Sequence, residues 1–239
     1  MEYYYTPSEN VFESENKLYL REFEFKHLAK VLRKKTGDIV FITDGKKNIY
    51  ECIITEIGKN EIVCAIEKKE TDLNEPEIKL TLCLAPLRNL TRFEFAVEKA
   101  VELGVNTIVP VITQFTISKN EFSRNKQERF EKIIISAMGQ SQRCYKPVFE
   151  KAVTLNELND LYRDEKNKVV LYEFSDDMEQ YNFDSSSDRI ILLIGPEGGF
   201  SKEEILTLKN GNWQIKSIGK RKLRAETAAI AAVSQILLK

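Results

Sequence analysis

A single histidine, His27, serves a chain of 239 residues. Most Ser-His-Asp, Cys-His and His-rich metal mechanisms are thereby removed, because each needs an imidazole among specific partners. Cys52, Cys64, Cys83 and Cys144 form no C-x-x-C pair and lie in or near apolar runs, where a thiol behaves as a small hydrophobe; neither a disulfide framework nor a zinc site is expected. No apolar run approaches the roughly 18–20 residues a membrane span needs, and the Tyr-rich N-terminus has no signal-peptide core. A cytoplasmic protein is expected. Ten glycines and six prolines are too few for a fibrous or low-complexity chain. Charge of one sign is lacking too: the net value is -1, which excludes coating nucleic acid by bulk electrostatics.

Local basic clusters do occur, at Lys30, Arg33, Lys34 and Lys35 (KVLRKK) and at Lys220, Arg221, Lys222 and Arg224 (GKRKLR). KHLAKVLRKKTGD has the spacing of an amphipathic helix ending near Gly37, so the first cluster reads as a solvated helix face. The second precedes an Ala-rich helix, where cations oppose the macrodipole; that cost points to a task such as holding an anionic substrate.

Two styles of chain follow one another. Up to about Lys69, short alternating strands are broken by Asp44-Gly45 and Gly58-Lys59-Asn60, the pattern of hairpins, with one helical stretch near His27 to Lys35. A small β-rich, barrel-like domain is expected over residues 1–70. TDLNEPE, residues 71–77, reads as a linker. From 78 to 239, near-continuous apolar strands (IKLTLCLAP, TIVPVIT, VVLYEF, IILLIG, WQIKSIG) alternate with helices near Thr91–Leu103 and Lys126–Ser141, the pattern of an α/β parallel sheet covered on both faces. Glu94, Glu98 and Glu102 fall on one helix face and read as a solvated acidic stripe. SDDMEQYNFDSSSD reads as an exposed loop.

LLIGPEGGFSKEEI runs from an apolar strand through three glycines into a helix start. In open parallel sheets, ligands bind beyond the carboxyl ends of the strands. Gly195, Gly198 and Gly199 allow close backbone approach, and Ser201 with Glu204 forms the S-x-x-E capping signature. Glu197 would repel a phosphate, and no phosphate-loop signature is present. A neutral ring with a positive or zwitterionic end fits better. SIGKRKLRAETAAIAAVSQILL repeats the design, with a strand ending at Ile218, a break at Gly219 and a helix from about Ala225. Small residues there let the helix pack close to its neighbours.

IGPEGGFSKEEI and SIGKRKLRAETAAIAAVS, with VEKAVELGVNTIVPV, SAMGQSQRCYKPV and HLAKVLRKKTGD, together resemble the RsmE-type ribosomal RNA uridine-N3 methyltransferases of the SPOUT class. That resemblance implies a trefoil-knotted α/β domain binding S-adenosylmethionine, a PUA-like β-barrel that helps hold RNA, and a homodimer. The implied substrate is a decoding-region uridine of small-subunit ribosomal RNA, free or within the assembled subunit. The cofactor residues it implies are Leu171, Tyr172, Gly195, Glu197, Gly199, Ile218, Gly219, Leu223, Arg224 and Thr227. RNA contacts fall to Arg33, Lys34, Gln140, Ser141, Arg143 and Arg221, and no metal is expected. The family pattern is broken at Gly139, where Glu is common, and at Lys220, where Pro is common.

Uracil N3 must lose a proton before it can attack a methyl group, so an arginine near the ring oxygens would favour the reacting anion. Arg224 is the first candidate for that catalytic role and Arg143 the second. The base is left open between Glu226 and water, Glu226 reading first as a carboxylate that complements its helix dipole. Two alternatives stand beside this reading: a non-catalytic RNA-binding protein, and an enzyme of the same class acting on another nucleotide.

Overall fold

A computed structural model describes residues 2–117, 124–173 and 188–238. The chain divides into two compact units, Met1–Glu75 with Ile135–Lys146, and Pro76–Ile134 with Pro147–Lys239. Residues 135–146, allotted by the sequence pattern to the second domain, thus cluster with the first.

In the first unit, strands β1 (Tyr3–Tyr5), β2 (Val11–Phe12), β3 (Lys17–Arg21), β4 (Ile39–Thr43), β5 (Asn48–Ile57) and β6 (Glu61–Thr71) form one mixed sheet in the order β1-β4-β5-β6-β3-β2. Only β1 and β4 pair in parallel. Strand alternation turns Leu18, Leu20, Ile42, Cys52, Ile54, Ile62 and Cys64 inward, all fully buried. The sheet curls, so that the Thr6 hydroxyl just after β1 donates to the Tyr19 carbonyl on β3 at 2.6 Å. At the β4–β5 turn the Asp44 carboxylate accepts from the backbone N–H of Lys46 and Asn48. Helix α1 (Glu22–Lys26) widens into a π-turn over His27–Val31 and ends before the expected Lys35. Phe25 and Leu28 anchor it in the core, while Val31 and Leu32 stay exposed.

The second unit carries an all-parallel sheet. Its strands are β7 (Lys79–Leu84), β8 (Thr107–Ile112), β9 (Val148–Phe149), β10 (Val153–Thr154), β11 (Lys168–Leu171), β12 (Arg189–Ile194) and β13 (Gln214–Lys216). The order is β10-β8-β7-β12-β11-β13, with β9 also on β8. Central strands β7 and β12 are covered on both faces, which is why they read as apolar runs. Helices α2 (Leu90–Glu102) and α6 (Ala225–Leu237) pack together, α6 also lying on β7 and β12. On the other face α4 (Leu155–Leu161) and α5 (Lys202–Asn210) enclose a cluster with Val170, Leu193 and Trp213. Lys168 is buried under α4, its ammonium donating to the carbonyls of Tyr162 at 3.0 Å and Arg163 at 3.4 Å; desolvation lowers its pKa. Helix α3 (Arg124–Gln140) starts in this unit and ends in the first.

The acidic-stripe reading fails at Glu94. Its side chain is 10% exposed, because Arg129 of α3 comes over it and pairs at 2.6 Å. The four cysteines are buried and unbridged. The SDDMEQYNFDSSSD loop, apart from Asp188, lies outside the described residues.

Candidate active site

Register builds the site. Leu84, Ile194, Leu171 and Lys216 are Cα partners across β7, β12, β11 and β13, so four strands end in one row. Their outgoing loops, after Ala85, Gly195, Tyr172 and Ser217, therefore leave one edge side by side. At strand spacings of about 4.8 Å, the ends of β12 and β13, two strands apart, lie roughly 10 Å from each other, the width of a nucleoside. Hydrogen bonds tie the row together: Ala85 N–H donates to Ile194 O, and Tyr172 N–H to Lys216 O, both at 2.9 Å.

The GPEGG loop is held closely. A Cβ on Gly195 would stand 2.8 Å from the Phe200 ring, and one on Gly198 would stand 2.9 Å from Phe115 Cβ. The capping box forms as its spacing predicts: Ser201 Oγ accepts from Glu204 N–H at 3.2 Å, and the Glu204 carboxylate accepts from Ser201 N–H at 2.9 Å. The other Glu204 oxygen accepts from Gln114 N–H at 2.7 Å, fixing the loop after β8 to the start of α5. The exposed Glu197 carboxylate accepts from Arg88 N–H at 3.2 Å and so closes the turn between β7 and α2. Asn89 then caps α2 by accepting from Thr91 N–H.

Strand β13 stops at Lys216, two residues before the expected Ile218, while the backbone breaks at Gly219. Ser217 Oγ donates to the Gly219 carbonyl at 3.1 Å. Gly199 (φ +69°) and Gly219 (φ +144°) both hold left-handed backbone, with nothing within 4 Å of where a Cβ would stand. Bare backbone therefore faces open space at both bends, a cradle suited to a flat, neutral, hydrogen-bonding ligand. Lys220, Arg221, Lys222, Leu223, Arg224 and Thr227 are exposed, and Ile218, Leu171 and Tyr172 are half-buried. Lys222 reaches Glu173 at 3.1 Å. Arg224 is the N-cap residue of α6, with no side-chain capping bond.

One of the expected RNA-facing residues is enclosed by the fold. Arg143 is 2% exposed, and its guanidinium donates through Nε and Nη2 to Glu75, at 3.2 and 2.8 Å. Glu75 also accepts from the N–H groups of Cys144 and Tyr145. A guanidinium so enclosed presents nothing to a phosphate. Of the remaining first-unit candidates, Arg33 and Gln140 are exposed, Lys34 is half-buried, and the Ser141 hydroxyl donates to Ala137 O at 2.7 Å. Sequence reasoning missed Arg88 and Arg92. Arg92 stands in the first turn of α2, against the dipole, the same signal that marks KRKLR.

Residues 74–237 match a family profile described as an RNA methyltransferase domain, and residues 20–67 one described as an RNA methyltransferase PUA domain. A parallel sheet opening onto two glycine bends, in a chain that also carries a PUA-like β unit, thus defines an RNA methyltransferase. The chain is 33% identical to ribosomal RNA small subunit methyltransferase E of Aquifex aeolicus, covering 93% of this chain and 94% of that one. To its namesake in Rickettsia conorii it is 32% identical, over 89% and 85% of the two chains. The crystal structure of the Neisseria gonorrhoeae protein of that name, bound to S-adenosyl methionine, superposes with a TM-score of 0.88 at 28% identity, covering 99% of this chain and 96% of that one. The protein belongs to the ribosomal RNA small subunit methyltransferase E family.

Proposed function

We propose that the protein transfers a methyl group from S-adenosylmethionine to N3 of a decoding-region uridine in small-subunit ribosomal RNA, acting as a cytoplasmic homodimer. The row formed by Leu84, Ile194, Leu171 and Lys216, from which the two bare-backbone bends leave together, carries this reading. The family assignment and the S-adenosyl methionine in the gonococcal relative support it. With it go a SPOUT-type trefoil knot in the parallel-sheet unit, an RNA-holding role for the β-rich unit, and a domain change within residues 71–77.

Bound S-adenosylmethionine supplies an electrophilic methyl group on a sulfonium. The protein's own part is placement and electrostatics. The backbone at Gly195, Gly199, Ile218 and Gly219, with the Leu171–Tyr172 strand end, would hold the neutral adenosine. Arg224, exposed and with no capping bond of its own, would lie against the uracil oxygens and favour the N3 anion.

Calorimetry with S-adenosylmethionine, joined to mass spectrometry of ribosomal RNA from cells with and without the protein, tests the reading. Arg224→Ala should slow methyl transfer by about 100-fold or more while changing cofactor affinity only about threefold. Equal losses in both would remove its catalytic role. No detectable cofactor binding by the natural protein would favour a non-catalytic RNA-binding protein, and a methyl group on another base would move the target.

A further inference from the structure

Glu226, the second residue of α6, is 8% exposed. Glu157 and Glu204, the carboxylates of the two capping boxes, each accept the N–H of their own N-cap residue. Glu226 does not behave in this way. Its Oε1 lies 3.7 Å from Arg92 Nε, an ion pair too long for a hydrogen bond. Its Oε2 is buried with no hydrogen-bond partner among the described residues. A buried carboxylate oxygen left without a donor is costly, and the expense points to a donor that arrives from outside the chain.

The location narrows what that donor is. Glu226 follows Arg224 by two residues. Its ion-pair partner Arg92 lies four residues after Arg88, whose N–H is held by Glu197 of the GPEGG loop. Helix α6 itself packs on β7 and β12, the strands that deliver both loops. The carboxylate thus stands beside the start of α2, on a helix packed against the two strands that lead into the β7–α2 turn and the GPEGG loop. Arg92 keeps a positive charge beside Oε1 and leaves the buried Oε2 as the unpaired acceptor.

Resting on the reaction proposed above, we infer that Glu226 is its general base, Oε2 taking the proton from uracil N3. The N3 lone pair so released forms the bond to the methyl carbon while the carbon–sulfur bond breaks, its electron pair staying on sulfur to give S-adenosylhomocysteine. The protonated carboxyl then loses its proton to water on the half-exposed Arg92 side. Charge and atoms balance, with one proton released per methyl group transferred.

A general base matters most when the substrate position is weakly acidic and holds its proton tightly. Single-turnover methylation would be compared on small ribosomal subunits from cells lacking the enzyme, grown with or without 5-fluorouracil, whose ring gives up the N3 proton more readily. Glu226→Gln should bind S-adenosylmethionine as the natural protein does by calorimetry, yet methylate ordinary subunits at least about 100-fold more slowly. On fluorinated subunits the variant should recover by about tenfold or more, against little gain for the natural protein. The ratio of the two substrates is internal to each preparation, so it stands even if part of the variant misfolds. Glu226→Asp, which keeps the carboxylate, should show the natural ratio. Loss without fluorinated rescue, loss of cofactor binding, or full activity in Glu226→Gln would each overturn the assignment. Failure of the natural protein to form N3-methyluridine would instead sink the underlying reaction.

Discussion

Replacing Arg143 by methionine separates a structural arginine from an RNA-binding one. In the folded protein this guanidinium is 2% exposed, and its partner Glu75 has a side chain 11% exposed. Solvent screening is therefore slight, and methionine would fill much of the space while leaving Glu75 with only the N–H groups of Cys144 and Tyr145. Stranding one charge of a buried pair costs roughly 3–5 kcal/mol, a large part of the 5–15 kcal/mol that holds a typical domain together. Urea unfolding followed by circular dichroism should show a midpoint shifted down accordingly. Adding Glu75→Gln to Arg143→Met should recover much of the loss, because no unpaired charge then remains. Affinity for ribosomal RNA, measured well below the unfolding midpoint, should be unchanged in the folded fraction. An Arg143→Met protein that unfolds like the natural one but binds RNA more weakly would refute the reasoning and return Arg143 to the RNA surface.

Glu24 sets a pH dependence in the β-rich unit. Burial raises its pKa from 4.5 to about 7, against the lowering effect of the Tyr5 N–H it accepts, with the charge of Glu2 adding to the rise. A raised carboxyl contributes stability that is full below about 4.5 and is lost as pH climbs through about 7, a loss worth roughly 3 kcal/mol. Glu24→Gln should remove that slope and be the more stable protein at pH 8; hydrogen exchange of the Tyr3–Tyr5 strand, corrected for intrinsic rates, would show it, and parallel pH profiles would contradict it. Gly139→Ala inverts a general rule. Alanine ordinarily stabilises a helix over glycine by up to about 1 kcal/mol, but a Cβ here would stand 2.2 Å from the Tyr3 carbonyl oxygen. The substitution should instead destabilise by about 1–3 kcal/mol and loosen β1, and a raised urea midpoint would show that this close approach is absent.

Much of the fold was legible because local chemistry and global structure agree. The hairpin turns after Thr43 and Ile57, the parallel character of IKLTLCL and IILLIG, and the Ser201–Glu204 box follow from two-residue alternation, two-faced burial and capping geometry. Other features depend on which distant segment arrives. Spacing put Glu94 on one face with Glu98 and Glu102, but only the approach of α3 brings Arg129 over that face. The Q-S-x-R stretch reads as polar and available until Glu75, remote in sequence, closes on Arg143. The strand order β10-β8-β7-β12-β11-β13 is likewise not local information, since each parallel crossover leaves the choice of neighbour to helix packing.

The site was legible where the chain works against itself. Helices α2 and α6 both begin beyond the carboxyl ends of parallel strands, so their positive dipole ends belong to the edge where Leu84, Ile194, Leu171 and Lys216 line up. Ordinary stability would place carboxylates there, as the capping boxes of α4 and α5 do. Arginines stand there instead, Arg92 in the first turn of α2 and Arg224 at the N-cap of α6, each adding positive charge where the dipole already supplies it. Such an edge favours a ligand that becomes anionic, and an N3-deprotonated uracil is one. Glu226 stands beside Arg92 within this edge, and its buried oxygen without a donor is the counterpart such chemistry requires: a field that stabilises the anion needs a group within it to receive the proton.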